Sequence, residues 1–284
     1  MHTQPASGSR IETAEMLAKY KLIIPWSAAL MLLGTYFIAA SSASRTSPRV
    51  IRVFVALAVN QHQGIIPVPS AVGNGQDPQR NLYWGAAYGV KTYFKASEDW
   101  KLVWSGGGSK NAILQRCVFK SSKNDVYLVA DAYEGSQIKM AVTDFLSAAA
   151  GIAMENVSLK IHSEEVSFAA AGDADVIVYV GHDAFMDFQI PPIAGTRGDK
   201  SRRTIILACA SRPYFGPYIR QTGAEPLLWT TGLMAPEAYT LKAALDGWIA
   251  REDDEAIQRR AAQAYDKYQK CGARAAMKLF ATNR

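Results

Sequence analysis

Two short apolar runs, DVIVYVGHDAF at 175–185 and TIILACAS at 204–211, determine how the fold of this chain is interpreted. Both are rich in β-branched and aliphatic residues without polar alternation, which is typical of strands buried on both faces of a parallel sheet. The first run leads into His182 and the second into Cys209. The two runs therefore predict neighbouring core strands, one followed by a histidine and the other by a cysteine.

Similar patterns extend outward from these runs. We expect one mostly parallel sheet that contains the segments 50–59, 125–131, 175–181, 204–209 and 225–230. Further strands are predicted at 112–120 and, with weaker alternation, at 156–162. Because crossovers between parallel strands need intervening segments, usually helices, this order of elements predicts helices on both sides of the sheet. The expected fold class is a three-layer α/β/α domain with a mostly parallel sheet.

Helical spacing of apolar residues predicts the helices between and after these strands. The predicted helices are 82–97, 135–151, 163–172 (a short one), 235–253 and 254–280. The glycine-rich segment SGGGSK at 105–110 predicts a turn. Two segments rich in Gly and Pro, 60–81 and 182–203, predict long loops. Long ordered loops in compact domains are often functional, so we expect ligand or partner contacts there.

Polar or reactive residues stand where several predicted strands end. These residues are Asn60, Asp131, His182 and Cys209. Ligands of open parallel sheets bind outside the carboxyl ends of the strands, so this edge is the expected position of a site. Each residue alone also fits an ordinary loop beginning, because loops at strand ends tend to be polar.

A cysteine and a histidine at neighbouring strand ends indicate nucleophilic chemistry. A cysteine attacks as its thiolate and needs a group that accepts its proton, which is most often a histidine. Adjacent strands lie about 4.8 Å apart, so residues just beyond them are within reach of one another. Backbone N–H groups of Gly181 and of the residues after Cys209 are candidates for binding an oxyanion.

The pattern resembles the caspase-like cysteine peptidases, the group that includes caspases, gingipain, clostripain and legumain. The resemblance rests on VIVYVGH (176–182), IILAC (205–209) and the following LLWTTGLMAPEAYTLKAALDGWI (227–249), and it covers roughly residues 50–250. It implies a caspase-like fold and hydrolysis of a peptide or small acyl substrate. His182 would be the general base and Cys209 the nucleophile.

The resemblance has one departure, since Asp183 stands where the group usually has glycine after the histidine. Asp183 and Asp131 are candidates for orienting the substrate or the imidazole. A cysteine within an apolar strand is also often only a small core residue. The alternative is therefore a non-catalytic protein of the same fold, whose loops 60–81 and 182–203 bind a ligand or partner. A third interpretation is an envelope protein that acts through its basic C-terminal helix.

The N-terminal region contains a largely apolar run at 21–40, preceded by lysines and followed by small residues. This layout is typical of a secretory signal peptide, with cleavage near 42–44. The run is also long enough for a membrane tether, and an ordinary buried helix is a third interpretation. We expect an exported protein, periplasmic or secreted, with three parts: 1–44 as signal peptide or anchor, 45–253 as the α/β domain and 254–284 as a helical extension.

Composition limits other classes of function. The net charge of +6 comes without long basic runs, so we expect no nucleic-acid partner. The three cysteines have neither CxxC nor Cys/His metal spacing, and the glycine-rich segments 73–78 and 105–110 lack nucleotide-loop spacing. We therefore expect no metal and no cofactor. The oligomeric state is left open by the sequence.

Overall fold

The computed structural model describes residues 47–61, 67–161 and 163–283. The expected signal peptide or membrane tether at 21–40, its cleavage region and the whole of the leading 1–44 part lie outside these ranges. Within the described residues, no helix has both the length and the apolar character needed to cross a membrane.

The centre of the fold is an eight-stranded mixed sheet. Its strands, numbered along the chain, are β1 (Arg49–Ala56), β2 (Trp100–Gly106), β3 (Ile113–Ser121), β4 (Val126–Tyr133), β7 (Val176–Val180), β8 (Arg203–Leu207), β9 (Glu225–Thr230) and β10 (Phe280–Ala281). The order across the sheet is β10-β9-β8-β7-β1-β4-β3-β2. Two further strands, β5 (Met154–Ile161) and β6 (Glu164–Ala171), form a separate hairpin.

The five inner strands β4, β1, β7, β8 and β9 are parallel, whereas β2, β3 and β10 are antiparallel to their neighbours. This confirms the expectation of one mostly parallel sheet from the five predicted strands. Strands β7 and β8 are direct neighbours, and Val180 pairs with Leu207 at their last positions. The residues that follow these two strands therefore leave the sheet side by side.

Helices cover both faces of the sheet. One face is packed by α1 (Val90–Ala96), α4 (Ala238–Ile249), α5 (Asp254–Gln269) and α6 (Ala273–Leu279). The other face is packed by α2 (Ile138–Ala149), α3 (Ser211–Thr222) and the β5–β6 hairpin. Both cores are dominated by aliphatic and aromatic side chains. The α/β class with helices on both faces of the sheet is thus the observed architecture.

The short helix predicted at 163–172 is wrong, because this segment is strand β6. It pairs with β5 in register, with Val157 opposite Phe168. Phe168 is buried and stacks on Tyr127 of β4 at 4.6 Å between ring centroids. Pairing and burial of one aromatic side chain outweigh the helical propensity of the alanines in this segment.

Three other boundaries differ from the expectation. The helix predicted from 82 begins only at Val90, because the backbone of 82–89 forms successive turns in which the Gly85 and Ala86 N–H groups both donate to the Asn81 carbonyl. Part of the turn expected at 105–110 belongs to strand β2. The helix predicted over 254–280 is divided into α5 and α6, because Lys270 ends α5 in the left-handed region with a φ of +54° and Gly272, with a φ of +90°, precedes the start of α6.

The segment 254–283 is an integral part of the domain. Its side chains Ile257, Tyr265 and Phe280 belong to the core on one face of the sheet. Strand β10 pairs with β9, with Phe280 opposite Thr230. The chain therefore completes both a helical layer and one edge of the sheet with its last described residues.

Candidate functional site

A pocket of about 340 Å³ lies at the carboxyl ends of the parallel strands. Four loops contribute to its walls, namely those that follow β1, β7, β8 and β9. The lining residues are Val68, Leu82, Tyr83, Gly181, His182, Cys209, Leu233, Met234, Ala235, Pro236, Tyr265 and Gln269. His182 and Cys209 thus line the same pocket, at the edge where sheets of this kind bind their ligands.

His182 is held on both its backbone and its ring. The hydroxyl of the buried Tyr179, on strand β7, donates to the His182 carbonyl at 2.8 Å. The imidazole Nε2 lies 2.7 Å from Oδ2 of Asp187. Its other nitrogen, Nδ1, has no partner in the part of the chain that the structure describes. A carboxylate on one ring nitrogen fixes the orientation of an imidazole and leaves the other nitrogen for proton transfer.

Cys209 lies in the turn that connects β8 to α3. The next residue, Ala210, adopts a left-handed φ of +46°, which is unfavourable for a residue with a Cβ. The Ala210 N–H donates to the Gly232 carbonyl at 2.8 Å, and the Ser211 N–H donates to Thr230 Oγ1 at 3.0 Å. The turn is therefore fastened to the end of β9 while it presents Cys209 to the pocket. Ser211 has a structural role in this network.

The thiol of Cys209 is partly buried, and its surroundings raise its pKa and so favour the protonated form. Its Sγ lies 3.4 Å from the backbone nitrogen of Met234 and 3.5 Å from the carbonyl oxygen of that residue. Burial raises the pKa of the thiol, the Met234 N–H lowers it, and the negative charge of Asp183 raises it. The net direction is upward. A base must therefore remove the proton during attack, since the environment does not hold a resting thiolate.

Asp183 is fully buried directly after His182. Its Oδ1 accepts the Phe185 N–H at 3.0 Å and so caps the short 3-10 turn Ala184–Met186. Its Oδ2 has no hydrogen-bond partner among the described residues. Burial raises the pKa of this carboxyl to about 7, although the Phe185 N–H opposes the shift. Asp183 does not line the pocket; it shapes the turn that returns Asp187 to His182.

The N–H group of Gly181, which we expected as an oxyanion donor, already has an acceptor. It donates to the Leu207 carbonyl at 3.2 Å and thereby extends the pairing of β7 with β8. The N–H groups of Ala210 and Ser211 are occupied as well. Within the described ranges, the backbone N–H groups of His182, Asp183 and Cys209 have no acceptor, and of these residues His182 and Cys209 line the pocket and are the candidates that remain.

Two other predicted site residues lie apart from the pocket lining. Asp131 is buried in an ion-pair cluster, where it accepts from Arg116 at 2.6 and 2.7 Å and pairs with Arg52. Asn60 binds the backbone of Val68 twice, at 2.8 and 2.9 Å. Asn60 therefore shapes the loop after β1, whereas Asp131 connects strands. Neither side chain is placed to orient a substrate in this pocket.

Sequence reasoning missed Asp187 and most of the pocket wall. Asp187 lies five residues after His182 and approaches it only because a 3-10 turn intervenes. The signal was its position in the loop 182–203, which the sequence already marked as functional. Val68 likewise lies in the marked loop 60–81, whereas Leu233–Pro236 lie in the segment 227–249, which supported the resemblance but was not expected to bind a ligand.

No protein-family model, curated protein or solved structure matches the chain. In the described ranges, no group of three or more His, Cys, Asp or Glu side chains is arranged to hold a metal ion. The chemistry of this site therefore has to be argued from its own residues.

Proposed function

We propose that this chain is a thiol-dependent hydrolase of peptide or small acyl substrates, with caspase-like architecture. The observation that carries the proposal is that His182 and Cys209 follow neighbouring parallel strands and line one pocket. Asp187 contacts Nε2 of His182 and leaves Nδ1 without a partner among the described residues. The resemblance in VIVYVGH and IILAC supports the same assignment of roles. Export from the cytoplasm is part of the proposal and rests on residues 21–44 alone.

In the proposed reaction, Nδ1 of His182 accepts the thiol proton while Sγ of Cys209 attacks the carbonyl carbon of the substrate. The carbon–nitrogen or carbon–oxygen bond of the substrate then breaks, and the imidazolium returns the proton to the leaving group. Water, deprotonated by His182, hydrolyses the thioester and regenerates the thiol. The N–H groups of Cys209 and His182 are the proposed donors to the oxyanion. Asp187 stabilises the imidazolium that forms in each half of the reaction.

The rival function is a ligand-binding protein without catalysis. The observation that favours it is the raised pKa of the Cys209 thiol, together with the contacts of its Sγ to Met234. A thiol of this kind is typical of a structural cysteine. The two functions share the pocket and differ in whether His182 and Cys209 react together.

The first experiment compares hydrolysis of a pooled fluorogenic peptide library by the wild type, Cys209→Ala and Cys271→Ala. Cys271 is exposed and lies outside the pocket lining, so its replacement is the matched control. We expect Cys209→Ala to abolish cleavage and Cys271→Ala to retain the wild-type rate. Cleavage that survives in Cys209→Ala would contradict the proposed role of Cys209, and no cleavage of any peptide by the wild type would favour the binding function.

A second experiment tests the role of Asp187. Replacing it by Asn keeps the shape but removes the charge that stabilises the imidazolium. We expect kcat to fall by about 100-fold, within the ~10²–10⁴ that general acid–base catalysis contributes, with little change in KM. If KM changed by the same factor as kcat, or if kcat stayed unchanged, Asp187 would not assist His182.

A further inference from the structure

The pocket beside Cys209 is closed by apolar side chains. They come from two loops, the one between β1 and α1 and the one after β9. These side chains are Val68, Leu82, Leu233, Met234, Ala235 and Pro236. Among the lining residues that the structure describes, no side chain carries a carboxylate, an ammonium or a guanidinium group. A charged group that entered would lose hydration without gaining an ionic partner, which is unfavourable.

The polar atoms of the wall are mostly occupied. The Tyr265 hydroxyl accepts the Ala235 N–H at 3.1 Å. The Gln269 side-chain nitrogen donates to Tyr239 at 2.7 Å and to Glu237 at 3.1 Å. Both polar backbone groups of Met234 contact Sγ of Cys209. The wall therefore offers an entering group van der Waals contact and few hydrogen bonds.

One carboxylate behind this wall, that of Glu237, is unsuited to bind a basic side chain. Glu237 is buried and receives hydrogen bonds from Tyr239 at 2.8 Å and from Gln269. Burial raises the pKa of Glu237, and Gln269 stands between it and the pocket lining. Glu237 therefore offers no ionic partner to a basic group in the pocket.

We propose that this pocket binds the uncharged, apolar group next to the scissile carbonyl of the substrate. The inference rests on the proposed function in one respect, which is that the bound group belongs to a substrate. The preference of the pocket for apolar groups does not depend on that function. The volume of about 340 Å³ is near the lower end of the ~300–1,000 Å³ typical of small-molecule sites, so it accommodates one side chain or a short acyl chain. Leu233, which is 53% exposed, forms part of the rim that such a group would contact.

The test measures alkylation of Cys209 in the full chain by three reagents: N-butyl iodoacetamide, anionic iodoacetate and cationic N-(2-aminoethyl) iodoacetamide. Cys271 is exposed in the same molecule and corrects for the intrinsic reactivity of each reagent. Mass spectrometry of the two cysteine peptides gives the rate at each site. At each cysteine, the preference is the alkylation rate with the butyl reagent divided by the rate with a charged reagent. We expect this ratio to be about tenfold larger at Cys209 than at Cys271, for both charged reagents.

Leu233→Glu should reduce this preference, because it places a carboxylate at the rim. Met154→Glu is the matched control, since Met154 is 70% exposed and lies outside the pocket lining. It should leave the preference unchanged. Equal reagent preferences at Cys209 and Cys271, or a charged reagent favoured at Cys209, would overturn the inference. An apolar preference without peptide hydrolysis would instead retain the inference and reject the proposed function.

Discussion

Asp183 is the residue whose environment bears most directly on the reactivity of the site. Its carboxyl is fully buried, one oxygen lacks a hydrogen-bond partner among the described residues, and its charge raises the pKa of the Cys209 thiol. An ionised Asp183 therefore opposes formation of the thiolate. The sequence located this residue next to His182 as a departure from glycine, but burial of its carboxyl depends on the turn that follows.

The stability of the folded protein should depend on pH through Asp183. The pKa of Asp183 is raised from 3.8 to about 7 in the folded protein, so the folded state holds a proton that the unfolded state releases. The contribution of this group to the free energy of unfolding is greatest below pH ~4. It falls as the pH rises to about 7, by ~1.4 kcal/mol for each pH unit.

Asp183→Asn cannot titrate and should lose this dependence. We therefore expect urea denaturation to show that, as the pH rises from about 4 to about 7, the free energy of unfolding of the variant increases relative to that of the wild type. The relative increase should be on the order of 1.4 kcal/mol per pH unit. A stability difference that stays constant with pH would contradict the burial of an ionisable Asp183.

At the scale of elements, an ion-pair cluster connects β1, β4, β3 and β5. Asp131 of β4 pairs with Arg52 of β1 and Arg116 of β3, and Arg116 also contacts Glu155 of β5 at 2.7 Å. Burial alone would raise the pKa of Asp131, but the two arginines hold it below its usual value. The sequence suggested a site role for Asp131 and did not reveal its ion pairs, because the partners of this buried carboxylate come from other strands.

Asp131→Asn should destabilise the fold by about 3–5 kcal/mol, since it leaves two buried guanidinium groups without their carboxylate. The control is Asp125→Asn, whose side chain is 62% exposed in its pair with Lys120 and should cost less than ~0.5 kcal/mol. Chemical denaturation of both variants measures the difference. A loss at Asp131 no larger than that at Asp125 would show that the cluster does not hold these strands together.

At the scale of the whole molecule, the parallel sheet could be predicted because its inner strands are short apolar runs separated by helices. The neighbouring positions of β7 and β8, and hence of His182 and Cys209, followed from the same pattern. Strand β6 and the break between α5 and α6 could not be predicted, since they depend on pairing across the hairpin and on the left-handed backbone of Lys270.

The site was predicted less completely than the fold. The two central residues came from strand ends, but Asp187 reaches His182 through a turn, and the apolar wall comes from separate loops. Gly181 has the expected position, yet its N–H is used by the sheet. Hydrogen bonds of this kind depend on the assembled backbone and leave no distinctive spacing in the sequence.

The most direct test of the central claim is the rate of alkylation of Cys209 by iodoacetamide as a function of pH, in the wild type and in His182→Ala. If His182 removes the thiol proton, the variant should react about tenfold more slowly near neutral pH, approach the wild type at high pH where the thiolate forms unaided, and leave the rate at Cys271 unchanged. Superimposable Cys209 profiles in the two proteins would contradict the account, because His182 and Cys209 would then share a pocket without acting together.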